Sequence, residues 1–377
     1  MSVKKTSKKN THSEKISETE KNIDLEEKQK KNEQLKQQPK DKILDQNSNK
    51  ENINNIQKEK EKFENKQSND EDKKKKEEQE KFDAFRKAGE IAKKVKDFIR
   101  PQLKPGVKIL DIIEIAESKI LELGGKVGFP VNICLNHIAA HYTPPPGDNS
   151  IISDGDIVKF DMGVHIDGYP VDTAFTLNFN TNPELKDITV AAEEAVKVAI
   201  SLIKPGMKTN HIGRKIEETV KKYGFRPIKD LMGHKIERWN LHAGKSIPCI
   251  SLPPGSGDTI EEGEVYAIEV FVTNGEGTIH SQQNAQIYSL TPQNIPLRNR
   301  NAKKIYSYIT QNYKTLPFSR YQIYKQFPKE IFGLMEIIKS NKVIEHKILS
   351  EKKGREIYIA QAEETVLVTK DGCEILT

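Results

Sequence analysis

"VKFDMGVHIDGYPVDTAFT", residues 158–176, sets two aspartates among apolar residues on either side of a turn. Alternation puts Val158, Phe160, Met162 and Val164 on one face of a strand and Asp161 on the other. The returning strand carries Val171, Thr173 and Phe175 opposite in parity to Asp172. His165-Ile166-Asp167-Gly168 supplies the turn, with Gly168 free to take positive φ. A loop centred on Ile166-Asp167 sets Asp161 directly across from Asp172. A loop at Asp167-Gly168 makes the two aspartates diagonal neighbours on one face. In either register their Cβ atoms lie within about 4.5–8 Å. Bare carboxylates at that separation repel and weaken the hairpin. A shared proton or a bound cation would relieve them; so would one aspartate capping a loop while the other pairs with a lysine.

Working outward, the chain repeats itself. "LKPGVKILDIIEIAESKILELGG" (103–125) is echoed by "IKPGMKTNHIGRKIEETVKKYGF" (203–225), with Pro105 and Pro205 each before a glycine and a helical pattern. In the first copy Leu110, Ile113, Ala116, Ile120 and Leu121 fall at helical spacing, and Gly124-Gly125 supplies the stop. Each helix follows another, "FRKAGEIAKKVKDFI" (85–99) and "ITVAAEEAVKVAISLI" (188–203). In 85–99 the residues Phe85, Ala88, Ile91, Ala92, Val95, Phe98 and Ile99 form one stripe. Further on, "GDIVKFD" (155–161) matches "GEVYAIE" (263–269), which sets Asp161 and Glu269 at equivalent ends of equivalent strands. Two related α/β halves, each delivering a carboxylate to a shared centre, account for both matches.

Other ligand types favour the cation. "LMGHKIERWNLHAGKSIP" (231–248) carries His234 and His242 in a polar connection, although a lone histidine is more often structural. Glu269 lies in the apolar run "VYAIEVF" and Glu363 in "YIAQAEETVLV", and an acid in a core-facing strand needs a partner. Asp161, Asp172, His234, Glu269 and Glu363 together offer four negative charges and one imidazole. That set suits two divalent first-row metals about 3.5–4 Å apart.

Composition bounds the rest. The chain has 377 residues, 31% charged, with a net charge of +6. Residues 1–80 are mostly Lys, Glu, Asn, Gln, Ser and Asp, with Phe63 the one aromatic, and such a stretch is expected to be disordered. Runs such as "EDKKKKEEQEK" are ordinarily solvated, or touch an anionic partner such as ribosomal RNA. Without interleaved aromatics, sequence-specific reading of nucleic acid is not expected. Residues 81–377 are long enough for a large buried core. "MSVKKTSKKN" leads into no apolar run and nothing is long enough to span a bilayer, so neither secretion nor membrane insertion is expected. Cys134, Cys249 and Cys373 form no CxxC, which fits a reducing, cytoplasmic setting.

The order Asp161, Asp172, His234, Glu269, Glu363 is similar to the five metal ligands of the methionine aminopeptidases, M24 metallopeptidases of pita-bread fold. "FPVNICLNHIAAHYTPPPGD" (129–148) resembles the family segment with an active-site histidine, here His141. "GHKIERWNLHAG" resembles the segment that supplies a metal-binding histidine, His234, and a substrate-facing one, His242. The 94 residues between Glu269 and Glu363 hold "KKIYSYITQNYKTLPFSRYQIYKQFPKEIFGLMEIIKSNKVIEH" (303–346), similar to the winged-helix-like insertion of type 2 enzymes, at about 290–350. Its Tyr306, Tyr308 and Tyr313 are read as helix-packing residues. A lysine-rich extension also resembles eukaryotic type 2 enzymes, and the compact 225–248 segment archaeal ones.

The resemblance implies a pita-bread α/β (α+β) domain at 81–377 and two divalent ions (Co, Mn, Fe or Zn). The implied activity is co-translational removal of methionine from nascent N-termini when the second residue is small. Glu269 would be the general acid/base, His141 and His242 would donate hydrogen bonds to substrate and intermediate, and Phe129 would line the methionine pocket. The enzyme would be a monomer, possible contact with the ribosome coming from the charged tail. Three departures stand out. Ala362-Glu363-Glu364-Thr365 replaces Phe-Glu-His-Thr, suggesting an extra charge near the metals and a lost aromatic wall. Val270 follows Glu269 where proline or threonine is usual, and His346 aligns with a methionine-pocket tyrosine. A non-catalytic homologue of this fold that binds RNA or ribosomes, and a prolidase or Xaa-Pro aminopeptidase, are the alternatives.

Overall fold

The computed structural model describes residues 46–340, 342–351 and 356–377, with side chains from residue 72 onward. The chain divides into two units between Lys74 and Lys75. Of the segment expected to be disordered, residues 1–45 lie outside the described residues. From Gln46 the backbone is helical, in α1 (Gln46–Ile99), and residues 72–80 of that helix are exposed. Lys, Glu and Gln are strong helix formers, and Lys76–Glu80 is an i,i+4 pair at 4.0 Å. Residues 72–80 are thus helical without burying side chains.

From residue 75 the fold is a nine-stranded sheet with helices on it. Its main path runs β1 (Lys126–Leu135), β3 (Ile157–Ile166), β4 (Tyr169–Asn178), β12 (Ile359–Val368), β8 (Val265–Thr273), β6 (Gly233–Ile236) and β7 (Ser246–Ile247). β13 (Cys373–Ile375) pairs with β12, and β5 (Arg226–Pro227) with β8. The end of α1 and α2 (Ile109–Glu122) enclose one core with β1, β3 and β4; α3 (Ile188–Leu202) and α4 (Thr209–Lys222) enclose another with β8 and β12. The stripe expected on α1 is buried except at Phe98, which is 41% exposed. On α2 the buried face is Ile109, Ile112, Ile113, Ala116 and Ile120, whereas Leu121 is 60% exposed. The stripe is rotated by about one residue because α2 is apolar over more than one face.

The repeat is visible in hydrogen bonds. Gly106 and Gly206 take φ of +87° and +84°, and their N–H groups donate at 2.8 Å to Ile152 O and Ile260 O. Ahead of the equivalent strands, Asp156 accepts from Ser153 N (2.8 Å) and Glu264 from Glu261 N (2.9 Å). The first acid of each "G-acid" word therefore closes the turn that launches its strand.

The halves meet along β4 and β12, where a single register pair forms, Glu363 with Ala174. Hydroxyls close the rest of the seam. Thr173 Oγ1 donates to Glu363 O (2.9 Å) and Thr176 Oγ1 to Gln361 O (2.7 Å). Thr365 Oγ1 accepts from Asp172 N (2.8 Å) and donates to Asp172 O (2.7 Å). A second sheet, β10 (Phe318–Ser319), β9 (Ile279–Leu290), β11 (Val343–Glu351) and β2 (Ile138–Ala140), accompanies α5 (Arg300–Asn312), α6 (Arg320–Gln326) and α7 (Phe332–Ile338). The helices share a core of their own with β9, against which Tyr306, Tyr308 and Tyr313 pack.

Candidate metal centre

The opening hairpin takes the Asp167-Gly168 loop, with φ of +50° and +86°. Gly163 therefore pairs with Asp172 and Asp161 with Ala174, so the aspartates are diagonal neighbours. Across the sheet, Ala174 pairs with Glu363 and Glu363 with Glu269. Two residues along β8, Ala267 pairs with His234 of β6. Residues two apart on a strand share a face. Five strands thus deliver Asp161, Asp172, Glu363, Glu269 and His234 to one side of the sheet.

All five line one cavity of about 220 Å³, together with Asn132, His141, Asp230, His242 and His346. Its apolar wall includes Phe129, Leu241, Ile287 and Pro317. Phe129 sits at an irregularity in the β1–β3 register, and Gly163 opposite it leaves room for the ring: a Cβ there would approach it to 2.4 Å. One ligand atom from each of Asp172, His234 and Glu363 lies within 4.8 Å of the other two. His234 Nδ1 donates to Leu241 O at 2.6 Å, leaving Nε2 unprotonated, 3.7 Å from Asp172 Oδ2. That is the tautomer a metal ligand requires.

Electrostatics make the same point. Burial pushes the Asp161 carboxyl up to about 7. Burial, and then the charges of Asp161 and Glu269, push Asp172 well above the carboxylate range. Glu269 and Glu363 are raised in the same way, by burial first and neighbouring acids second. Burial holds His234 down at about 3. Asp161 Oδ1, Asp172 Oδ1 and Glu363 Oε1 are buried without a hydrogen-bond partner. Orphaned carboxylate oxygens facing each other and a free imidazole nitrogen fit divalent cations, which supply the missing positive charge.

His141 follows β2 in a left-handed conformation, φ +64°, with Nδ1 donating to Lys347 O at 3.1 Å. Its ring meets that of His346 edge-on at 5.7 Å, and His346 Nε2 lies 3.0 Å from Ser289 Oγ. His346 does line the cavity, as its alignment with a pocket residue implied. Two expectations are corrected. Glu364 faces away from the acids, paired with Lys96 at 2.9 Å. Ala362 is buried in the second core and removes no cavity wall. Both follow from strand parity, since 362 and 364 flank 363 on the opposite face. Asn132 is a neighbour that sequence reading missed: it pairs directly with Asp161 across β1 and β3 and lowers its carboxyl by hydrogen bonding. Gln361 Nε2 lies 3.3 Å from Asp161 Oδ2.

Residues 83–370 match the model of metallopeptidase family M24. The chain belongs to that family. This M24 peptidase is 43% identical over 298 residues to methionine aminopeptidase of Thermococcus onnurineus, covering 78% of this chain and 99% of the relative. It is 31% identical over 316 residues to methionine aminopeptidase 2 of Schizosaccharomyces pombe, covering 79% and 73%. Its fold resembles a thermophilic Arx1, at TM-score 0.68 and 20% identity over 79% of this chain and 90% of the other. It also resembles methionine aminopeptidase from Thermotoga maritima, at TM-score 0.57 and 22% identity over 78% and 94%. The expected pita-bread fold is confirmed, and membership of a metallopeptidase family implies a divalent metal. Among the described residues no helix is long and apolar enough to cross a membrane.

Proposed function

We propose that this site hydrolyses the first peptide bond of nascent chains, releasing methionine when the second residue is small. The carrying observation is the convergence of Asp161, Asp172, His234, Glu269 and Glu363 on one cavity, with three buried carboxylate oxygens unpaired. These five residues would hold two divalent ions, of which Mn, Co, Fe and Zn all suit the donor set. When bound, such a pair acidifies a water and polarises a carbonyl. Phe129, Leu241 and Pro317 offer the methionine side chain an apolar wall.

Glu269 would take the proton from the attacking water and pass it to the leaving amide nitrogen, as a general acid/base must. His141 acts differently from the sequence-based expectation. Its Nδ1 hydrogen is committed to Lys347 O, and burial lowers its basicity, so Nε2 is an acceptor. It suits a substrate N–H and would orient the scissile amide. His242, whose ring lies 4.3 Å from that of His234, is left to donate to the developing oxyanion. We read 81–377 as the peptidase domain and about 290–350 as its insertion, in keeping with the separate core there. A cytoplasmic monomer acting on emerging N-termini, with the charged tail near the ribosome, completes the reading.

The test uses Met-Gly, Met-Lys and Xaa-Pro peptides with protein loaded with Mn(II) or Co(II). Cleavage of Met-Gly alone is expected. Turnover of none of the three ends the peptidase reading, and turnover of the Xaa-Pro peptide alone replaces it. Asp172→Ala is expected to abolish metal uptake and turnover together, checked by metal analysis on the purified variant.

A further inference from the structure

Behind the acids, on the far face of the sheet, lies a polar cluster with no part in the proposed reaction. Lys96, on α1, sends its ammonium to Glu364 at 2.9 and 3.0 Å and to Thr173 Oγ1 at 2.8 Å. Its side chain is 12% exposed, so this is not an ordinary surface pair. Thr173 is fully buried; its oxygen accepts from Lys96, and its single hydrogen has Glu363 O across the seam as the nearer acceptor at 2.9 Å, with Glu364 Oε2 at 3.3 Å. Glu364 also accepts from Thr377 Oγ1 at 2.6 Å. Thr377 Oγ1 in turn accepts from Thr365 N at 2.8 Å, and the Thr365 hydroxyl holds both backbone groups of Asp172. Two polar paths therefore begin at one ammonium, the second passing through Thr365 itself, from its backbone N–H to its hydroxyl. The first ends on the backbone of Glu363, the second on that of Asp172.

Where strands are laddered directly, their separation is fixed by the backbone alone. Here β4 and β12 share one register pair, and hydroxyls span the remainder. Hydroxyl bridges can rotate, so the spacing depends on what orients them. The seam carries Asp172 and Glu363, whose carboxylates converge with His234.

We propose that Lys96 is a positioning residue for the metal centre: from the back of the sheet its ammonium orients Thr173 and Glu364, which hold Asp172 and Glu363 at metal-binding separation. Glu364 is then not a stray charge but the carboxylate that anchors this lysine. The inference rests on the metal-centre reading of the five ligands.

The experiment titrates metal-free full-length protein with Mn(II), following affinity by calorimetry and the coupling between paired ions by electron paramagnetic resonance. Lys96→Met is expected to weaken Mn(II) binding by about 10- to 100-fold, as changes behind a metal's ligands do, and to diminish the coupled signal. Arg86→Met is the control: it removes another α1 contact, the fork onto Glu374 at 2.8–3.1 Å, far in register from the acids. It is expected to leave the affinity within about twofold of wild type. If Lys96→Met does not fold, Lys96→Met/Glu364→Gln strands no carboxylate and carries the same measurement. Equal losses in the lysine and arginine variants would overturn the positioning role, since helix docking alone would explain them. Wild-type affinity in the lysine variants would overturn it as well. Wild type that takes up no Mn(II) would instead sink the metal-centre reading, and this inference with it.

Discussion

Lys159 is fully buried two residues before Asp161, and its ammonium donates to Asn136 O at 3.0 Å and Ile359 O at 2.9 Å. One carbonyl belongs to the loop leading to His141, the other to the start of the strand carrying Glu363. The lysine therefore ties together two segments that present site residues. Burial pulls its pKa down to about 7. The residue directly across the ladder, Cys134, has its thiol pushed up to about 12 by burial and is neutral, so it offers no counter-charge. Two terms compete when this side chain is replaced. Losing a buried ammonium is favourable, while losing two charge-assisted hydrogen bonds is not. Both acceptors are backbone carbonyls and the lysine is fully buried, so the second term should win. Lys159→Met is expected to lower unfolding stability by about 1–3 kcal/mol in urea titration. A variant as stable as wild type would show that desolvation cancels the bonds.

At the scale of elements, the hairpin 158–176 depends on one glycine. Gly168 has φ +86°, and a Cβ there would come within 2.0–2.4 Å of the Trp239 ring. Trp239 N also donates to Gly168 O at 2.6 Å, which couples the turn to the segment carrying Leu241 and His242. Gly168→Ala should therefore cost more than the roughly 1–3 kcal/mol of left-handed strain alone. A lower urea midpoint and a shifted emission of Trp239, the chain's single tryptophan, would register it; an unchanged spectrum would mean the ring does not pack on the turn. This element also marks how far sequence reasoning reaches. Alternation showed which face each aspartate takes, but it allows both loops. Positive φ at two successive residues, which matches the twist of a hairpin, selects Asp167-Gly168. The repeat placed Asp161 and Glu269 together because each half obeys its own local rules. Asn132 could not be seen, since its pairing with Asp161 crosses an irregular stretch of ladder. Glu364 could have been placed: parity alone turns it away from Glu363. His141 was singled out by resemblance, yet the bond that fixes its ring, Nδ1 to Lys347 O, comes from 206 residues away.

For the molecule as a whole, the four clustered acids link metal, protons and stability. Asp161 is raised from 3.8 to about 7 in the metal-free protein, and Asp172, Glu269 and Glu363 are raised with it, by burial and by one another. A carboxyl whose folded pKa lies above its unfolded value costs nothing while both states are protonated. The cost enters as pH rises past the unfolded value and is complete above the folded one. The metal-free protein should thus lose stability between about pH 4 and beyond pH 7, as charges are forced together at buried positions. Divalent ions reverse the balance, because they bind the deprotonated ligands and compete with protons. The rise in thermal midpoint on adding Mn(II) to chelator-treated protein is therefore expected to be larger at pH 8 than at pH 5.5. Asp161→Asn, which retains size but cannot ionise, should flatten the metal-free pH dependence and shrink the metal-induced rise together. A rise of equal size at both pH values would mean that the acids already carry their charge without metal, and that burial and mutual repulsion do not raise them.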